Sequence, residues 1–161
     1  MDNLLFDEFS GAVKAYTLSD KLIRKIFEIS NVVQFNLGQV VIQEGIIPGK
    51  IYIIKEGNAR LITNIDSKIT TLGKFGPTEI LGAASLLSGR SCESFIASDS
   101  LVAYSIDEDD WLKIYKENNE FKRFCDTNLW SQEVIHLVKI LVERSAQNSN
   151  KLKEYIQFAL T

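Results

Sequence analysis

The sequence of 161 residues contains one histidine, His136, and two cysteines, Cys92 and Cys125, that lie far apart in the chain. Because a single histidine cannot supply a His-rich metal centre within one chain, a metal-dependent jelly-roll enzyme of the cupin type is excluded. The cysteines form no CxxC pair, so we expect two reduced thiols rather than a disulfide framework or a metal knuckle. We predict no metal site, no catalytic residues and no enzymatic activity.

An excess of positive charge and a long apolar run are also missing. The formal net charge is -3, which removes the broad positive field on which non-specific nucleic-acid binding depends. No apolar run approaches the roughly 20 residues that span a bilayer, and Met1–Ser10 is acidic where a secretory signal would be basic. We therefore predict a cytoplasmic protein with one globular core, no nucleic-acid partner and no direct membrane insertion.

The spacing of apolar residues predicts helices in residues 1–31. Leu4–Tyr16 has helical spacing but contains Gly11, so we interpret it as a weak or broken helix. Ser19 is a good N-cap for a second helix that ends near Ser30.

Between residues 32 and 107 the period changes to short β-branched runs, separated by Gly, Pro and Asn at nearly even intervals. This pattern is typical of an antiparallel sandwich or barrel. We predict a mainly β fold: an eight-stranded antiparallel jelly roll (a double-stranded β-helix) with N-terminal and C-terminal α-helices. The expected buried residues include Phe35, Ile42, Tyr52, Ile54 and Leu61.

Residues 108–161 return to helical spacing without Gly or Pro, and acidic residues at the start suit the positive end of a helix dipole. We predict helical structure from Asp107 to Glu143. Behind the polar segment Arg144–Asn150 we predict a separate short amphipathic helix, Lys151–Thr161.

Two apolar stripes run along Leu129–Glu143, and together they are wider than a helix needs when it rests on one roll. We predict that this helix is the output surface, used for a homodimer or for docking on a partner. The alternative is that the N-terminal helices of the same chain cover both stripes. The predicted interface residues are Trp130, Val134, Leu137, Val138 and Leu141, with Ile135 and Val142 beside Val138 in the second stripe.

Two blocks carry a family resemblance. "FNLGQVVIQEG", Phe35–Gly45, followed by "IYIIKEGNARLI", Ile51–Ile62, resembles the opening strands of the cyclic nucleotide-binding domain family. The resemblance covers about Leu18–Leu141. It implies an N-terminal helical part (residues 1–31), a cyclic-nucleotide-binding-like β-roll (residues 32–107) and C-terminal helices (residues 108–161).

The stretch "ILGAASLLSGRSCES", Ile80–Ser94, falls where this family has its phosphate-binding cassette. In the family, a short helix after a Gly presents backbone N–H groups to the cyclic phosphate, an Arg pairs with the phosphate, and a Glu just after the Gly accepts the ribose 2′-hydroxyl. The resemblance therefore implies a ligand site formed by Gly82, Ala83, Ala84, Ser85, Arg90 and Ser91.

The cassette departs from the family pattern in two ways. Ala83 occupies the place of the ribose Glu, and Gly82–Arg90 is a few residues shorter than is usual, so we expect Arg90 to be a solvated turn residue. We expect Glu93 to face water and Cys92 to be a small core residue. No cofactor is expected, and cAMP or cGMP only as a weak ligand.

The segment "LGAASLLSGRSCESFIAS", Leu81–Ser98, is similar to regulatory domains at the N-terminus of some bacterial ABC exporters of peptides and toxins, in which the Arg and the ribose Glu are commonly absent. This resemblance implies a regulatory sensory or docking module within a larger chain or transporter, with a location at the inner membrane. The alternative is a working cAMP or cGMP receptor domain of a catabolite-activator-type regulator. A transcription factor of that type needs a helix-turn-helix after the long helix, where only "KLKEYIQFALT" is present.

Overall fold

The computed structural model describes residues 3–13 and 18–160. Two helices precede eight strands, one short helix interrupts the strands, and three helices follow them. The elements are α1 (Asn3–Val13), α2 (Asp20–Glu28), β1 (Asn31–Phe35), β2 (Val40–Ile42), β3 (Lys50–Glu56), β4 (Ala59–Ile65), β5 (Lys68–Phe75), β6 (Ile80–Leu81), α3 (Ala83–Ser88), β7 (Phe95–Ala97), β8 (Leu101–Asp107), α4 (Glu108–Glu117), α5 (Asn119–Asn128) and α6 (Gln132–Ala159).

The strands form two antiparallel four-stranded sheets, with the orders β1-β8-β3-β6 and β2-β7-β4-β5. Strands distant in sequence pair directly: β1 pairs with β8 through Val33 and Ala103, and β4 pairs with β7 through Leu61 and Phe95. The predicted jelly roll with flanking helices is confirmed.

Buried side chains form two clusters. The helix-side cluster packs α1, α2, α4 and α5 against the outer face of β3 and β8, and it centres on Trp111, Phe121 and Phe9. The roll-interior cluster fills the space between the two sheets and includes Ile42, Ile54 and Leu61, as expected. Phe35 and Tyr52, also expected to be buried, are only partly buried, and they pack against the roll-interior cluster. Their rings contact each other edge to face, with centroids 5.3 Å apart.

The N-terminal helices differ from the prediction in detail. Helix α1 runs from Asn3 to Val13 without a break at Gly11, and the rest of the predicted Leu4–Tyr16 helix lies outside the described residues. Ser19 does occupy the N-cap position of α2. Its hydroxyl does not cap the helix, because it donates to the Glu120 carboxylate at 2.8 Å and so ties α2 to α5.

The predicted boundary between two C-terminal helices is wrong. Helix α6 is one 28-residue helix that continues through the polar segment Arg144–Asn150, since that segment contains no Gly or Pro to end it. The breaks fall earlier, at polar N-caps: the Asn118 side chain accepts from Phe121 N at the start of α5, and the Ser131 hydroxyl accepts from Val134 N at the start of α6.

One turn of the roll provides a test of stability. Gly57 has φ +83, and a Cβ there would overlap the Ser100 carbonyl oxygen and lie 2.7 Å from Asp99 Oδ1, whereas Gly38 has φ +80 and open space around it. Gly38→Ala is expected to cost roughly 1 kcal/mol, the price of positive φ alone. Gly57→Ala is expected to cost about 3 kcal/mol or more, because the turn before β8 must also move. Urea unfolding of both variants checks this, and equal losses would contradict it.

Candidate functional site

The cassette is a left-handed turn followed by a short helix. Gly82 ends β6 with φ +96, α3 follows over Ala83–Ser88, and Gly89 ends α3 with φ +66. A Cβ on Gly82 would lie 2.8 Å from Ile42 Cδ1, so both the backbone conformation and the packing require glycine. The turn directs the first N–H groups of α3 into the protein.

A carboxylate of the same chain accepts hydrogen bonds from these N–H groups. Glu93 Oε2 accepts from Ser85 N at 2.9 Å, and Glu93 Oε1 accepts from Gly82 N at 3.3 Å. The Glu93 residue is 4% exposed. Burial raises the pKa of its carboxyl group, and hydrogen bonds from Ser85, Gly82 and Ala84 oppose that rise.

The expectation that Glu93 faces water is therefore wrong. It assumed that the strand begins at residue 93, but β7 begins at Phe95, so residues 91–94 do not alternate as a strand does. The irregular segment turns the carboxylate toward the first N–H groups of α3, whose hydrogen bonds favour the charged form and only partly offset the effect of burial. Glu93 is the only acidic residue between Ile80 and Ser98, and this was the signal that could have identified it.

Contacts between Ser85 and Cys92 connect α3 to the segment that carries Glu93. The Ser85 hydroxyl, fully buried, accepts from Cys92 N at 3.1 Å and lies 3.5 Å from Cys92 Sγ. Burial raises the pKa of the Cys92 thiol. The interpretation of Cys92 as a small core residue is confirmed.

The six predicted ligand residues separate into two groups. Gly82, Ala83, Ala84 and Ser85 are buried at the start of α3, with Ala83 in the helix-side cluster and Ala84 in the roll interior. Arg90 is exposed. Its backbone N–H donates to the Ser88 hydroxyl, and its carbonyl oxygen accepts from the same hydroxyl.

Ser91 accepts from Gly45 N at 2.7 Å through its hydroxyl, which ties the cassette to the β2–β3 loop. The ligand-binding role of the six residues stays a prediction.

Helix α6 lies across the cassette. Ile135 is 1% exposed and belongs to the roll-interior cluster together with Ala84 and Cys92. One turn further along, Lys139 Nζ donates to the Cys92 carbonyl oxygen at 3.3 Å and lies 3.8 Å from Glu44 Oε1. Lys139 is not among the site residues predicted from the sequence.

Four of the five predicted interface residues lie on α6, and Trp130 lies two residues before it. Val134, Leu137 and Leu141 are exposed by 42%, 55% and 55%, so α1 and α2 do not cover them. Val138 is half-buried toward the roll. Trp130 is 38% exposed and stacks on Phe75 at 5.3 Å.

Metal ligands do not cluster in the described part of the chain: no group of three or more His, Cys, Asp or Glu side chains could hold a metal ion. In the same residues, no helix combines the length and the apolar character needed to cross a membrane.

The fold and the cassette together define a class: a β-roll in which a glycine turn and a short helix face the C-terminal helix. The family model for the cyclic nucleotide-binding domain matches residues 32–118, more than half of the chain. The chain belongs to the cyclic nucleotide-binding domain family.

Solved structures share this fold. A cyclic nucleotide-binding domain from Methylobacillus flagellatus is 19% identical with a TM-score of 0.61, covering 93% of this chain and 83% of that one. The catabolite activator protein of Thermus thermophilus is 19% identical with a TM-score of 0.59, covering 87% and 61%. A regulatory subunit of a cAMP-independent protein kinase A from Trypanosoma cruzi, bound to guanosine, is 15% identical with a TM-score of 0.59, covering 77% of this chain and 49% of that one.

The chain thus spans about half to three fifths of the latter two proteins. Curated protein sequences gave no match.

Proposed function

We propose that this domain is a regulatory sensory or docking module whose cassette does not take a cyclic phosphate. The observation that carries the proposal is the position of the Glu93 carboxylate, which accepts from Gly82 N and Ser85 N. Backbone N–H groups of this kind are the donors that a phosphate would need. A second anion at the same place would meet a buried negative charge and donors that are already used.

Two further contacts support the proposal. Arg90, the cation expected to pair with a phosphate, is exposed and away from the start of α3. Ile135 fills part of the roll interior beside the cassette. A bound cyclic nucleotide would therefore lack a cationic partner from Arg90 and would have to displace an apolar side chain.

We further propose that the module belongs to a larger protein, such as an ABC exporter of toxins or peptides, and acts on the cytoplasmic side of the inner membrane. Its output element is α6, whose outward residues Val134, Leu137 and Leu141 pair with a second copy of the chain or a partner segment. Of these two, the spacing along α6 favours a second copy.

Calorimetry with cAMP and with cGMP tests the function. We expect dissociation constants no tighter than about 100 μM, because loss of charge-assisted contacts removes one to two decades of affinity each. Micromolar affinity that disappears in Arg90→Ala would contradict the proposal and favour the alternative, a working receptor of the catabolite-activator type. Lys151→Ala, which removes an exposed cation on α6, is the matched control.

A second candidate ligand is a neutral nucleoside. A carboxylate has about four acceptor sites, and donors at Ser85, Gly82 and Ala84 occupy most of those of Glu93, so a ligand hydroxyl would have to share or replace one of these donors, whereas a phosphate would be repelled. The T. cruzi structure shows guanosine bound to a protein of this fold. Titration with guanosine and with its 5′-monophosphate separates the two chemistries. If the site takes a nucleoside, guanosine binds more tightly than its 5′-monophosphate, and the affinity for guanosine falls in Glu93→Gln.

A further inference from the structure

The contact between α6 and the cassette is an intramolecular seal. Ile135 is the buried residue of α6, and it lies in the roll-interior cluster with two cassette residues, Ala84 and Cys92. Its side chain therefore takes space next to the α3 turn that any occupant of the cassette would need.

A polar contact holds the same part of α6 in place. Lys139 lies one turn after Ile135, and its ammonium group donates to the Cys92 carbonyl oxygen at 3.3 Å while lying 3.8 Å from the Glu44 carboxylate. Glu44 precedes Gly45, whose N–H donates to the Ser91 hydroxyl. Lys139 thus connects three segments: α6, the β2–β3 loop and the end of the cassette.

The rest of α6 is not held in this way. The helix has 28 residues, which corresponds to about 42 Å at 1.5 Å per residue. Residues from 147 to 160 are all exposed. The attachment of α6 to the roll is therefore concentrated before residue 147, where the fully or partly buried residues are Gln132, Ile135, Val138, Lys139, Ile140, Val142 and Ala146.

We infer that α6 is an autoinhibitory plug, held by Ile135 and latched by Lys139, which must leave the roll before the cassette can take any occupant. This inference rests on the proposed function of the domain as a regulatory sensory module with α6 as its output element. Occupation of the cassette and docking of α6 are then mutually exclusive, so a ligand releases the output helix rather than capturing it. The free energy of docking of α6 on the roll is then subtracted from the binding free energy of any ligand of the cassette.

Cys92 provides a direct probe of plug opening. Its thiol is buried beneath α6, and burial raises its pKa, so iodoacetamide alkylates it only from the open state. Cys125 is a partial reference: it is buried in the helix-side cluster but also lines a cavity with Ala84 of the cassette and Gln132 of α6, so urea unfolding of each variant measures the stability of the whole domain separately. Peptide mass spectrometry follows both alkylation rates in one sample of the full chain.

Lys139→Ala is expected to accelerate alkylation of Cys92 by roughly five- to twentyfold, the range for loss of a hydrogen bond from a charged group at a partly exposed site. Ile135→Ala is expected to have an equal or larger effect, because it removes most of the buried side chain. The rate at Cys125 should rise less than the rate at Cys92 in both variants, because only one side of Cys125 faces the cassette and α6. Lys151→Ala is the matched control on the exposed half of α6 and should leave both rates unchanged.

Two results would overturn the plug. An unchanged Cys92 rate in both Lys139→Ala and Ile135→Ala would show that α6 does not control access to the cassette. Parallel acceleration at Cys92 and Cys125 would show that the variants loosen the whole domain. Because no cyclic nucleotide is used, these results do not depend on the calorimetric test of the proposed function.

Discussion

Glu93→Ala is expected to lower the free energy of unfolding by about 2–4 kcal/mol, because two buried donors, Gly82 N and Ser85 N, lose their acceptor. Urea unfolding measures the loss. Glu79→Ala is the matched control: Glu79 also accepts from a backbone N–H, that of Gly76 at 2.6 Å, but its side chain is half-buried. Water can replace that acceptor, so we expect a loss of about 1 kcal/mol or less. Equal losses in the two variants would contradict a structural role for the Glu93 contacts.

The charge of Glu93 can be separated from its hydrogen bonds by Glu93→Gln. The pKa of Glu93 is raised in the folded state, so the folded protein binds the proton more tightly than the unfolded chain does. The stability that this supplies is fully present below the unfolded pKa, about 4.3, and is lost as the pH rises through the folded pKa. The stability of the wild type relative to Glu93→Gln is therefore expected to fall from pH 4 toward neutral pH. Unfolding curves at several pH values check the sign, and an increase would contradict it.

The sequence was sufficient for the roll because its signals are local. Period-two runs and glycines between strands are set by backbone geometry, and Gly38, Gly45 and Gly57 all have positive φ. Gly82 could also be placed at the cassette turn by its position before the small-residue segment. These features do not depend on which distant elements pack together.

The direction of individual side chains in the site could not be predicted. Glu93 turns inward because β7 starts two residues later than the sequence suggests, and the sequence does not show where a strand begins to within two residues. Which of the two apolar stripes of α6 packs on the roll depends on the rotation of the helix about its axis. The contact of Ile135 with the roll interior and that of Lys139 with the Cys92 carbonyl oxygen fix this rotation, and they leave Val134, Leu137 and Leu141 outside.

The outward face of α6 has the repeat of a two-stranded coiled coil. Its residues recur at alternating spacings of four and three from Leu141 to the end of the helix, and each is exposed: Leu141, Ser145, Asn148, Leu152, Tyr155 and Ala159. A seam of this period fits an identical helix, and a central polar pair such as Ser145 and Asn148 specifies register between two copies. These features favour a second copy of the chain over an unrelated partner.

We expect the wild type to be a dimer at tens of micromolar, and Leu141→Glu with Leu152→Glu to make it a monomer. The two leucines are 55% and 60% exposed in the single chain. Burial of a leucine contributes about 1.5–3 kcal/mol, and the double substitution removes four leucines from a symmetric seam and adds four charges. The dissociation constant should therefore rise by at least about a thousandfold. Light scattering after gel filtration measures the mass.

Gln147→Glu is the matched control for this change. It adds a carboxylate to the same helix at an exposed position that lies outside the seam, so it should leave the dimer intact. Val138→Glu is a less specific substitution, because Val138 is half-buried toward the roll and the new charge would also disturb the domain itself. Alkylation of Cys125 should be as slow in the double variant as in the wild type, since the seam is remote from the helix-side cluster. A monomeric wild type at these concentrations would contradict the seam, and so would a double variant that remains a dimer.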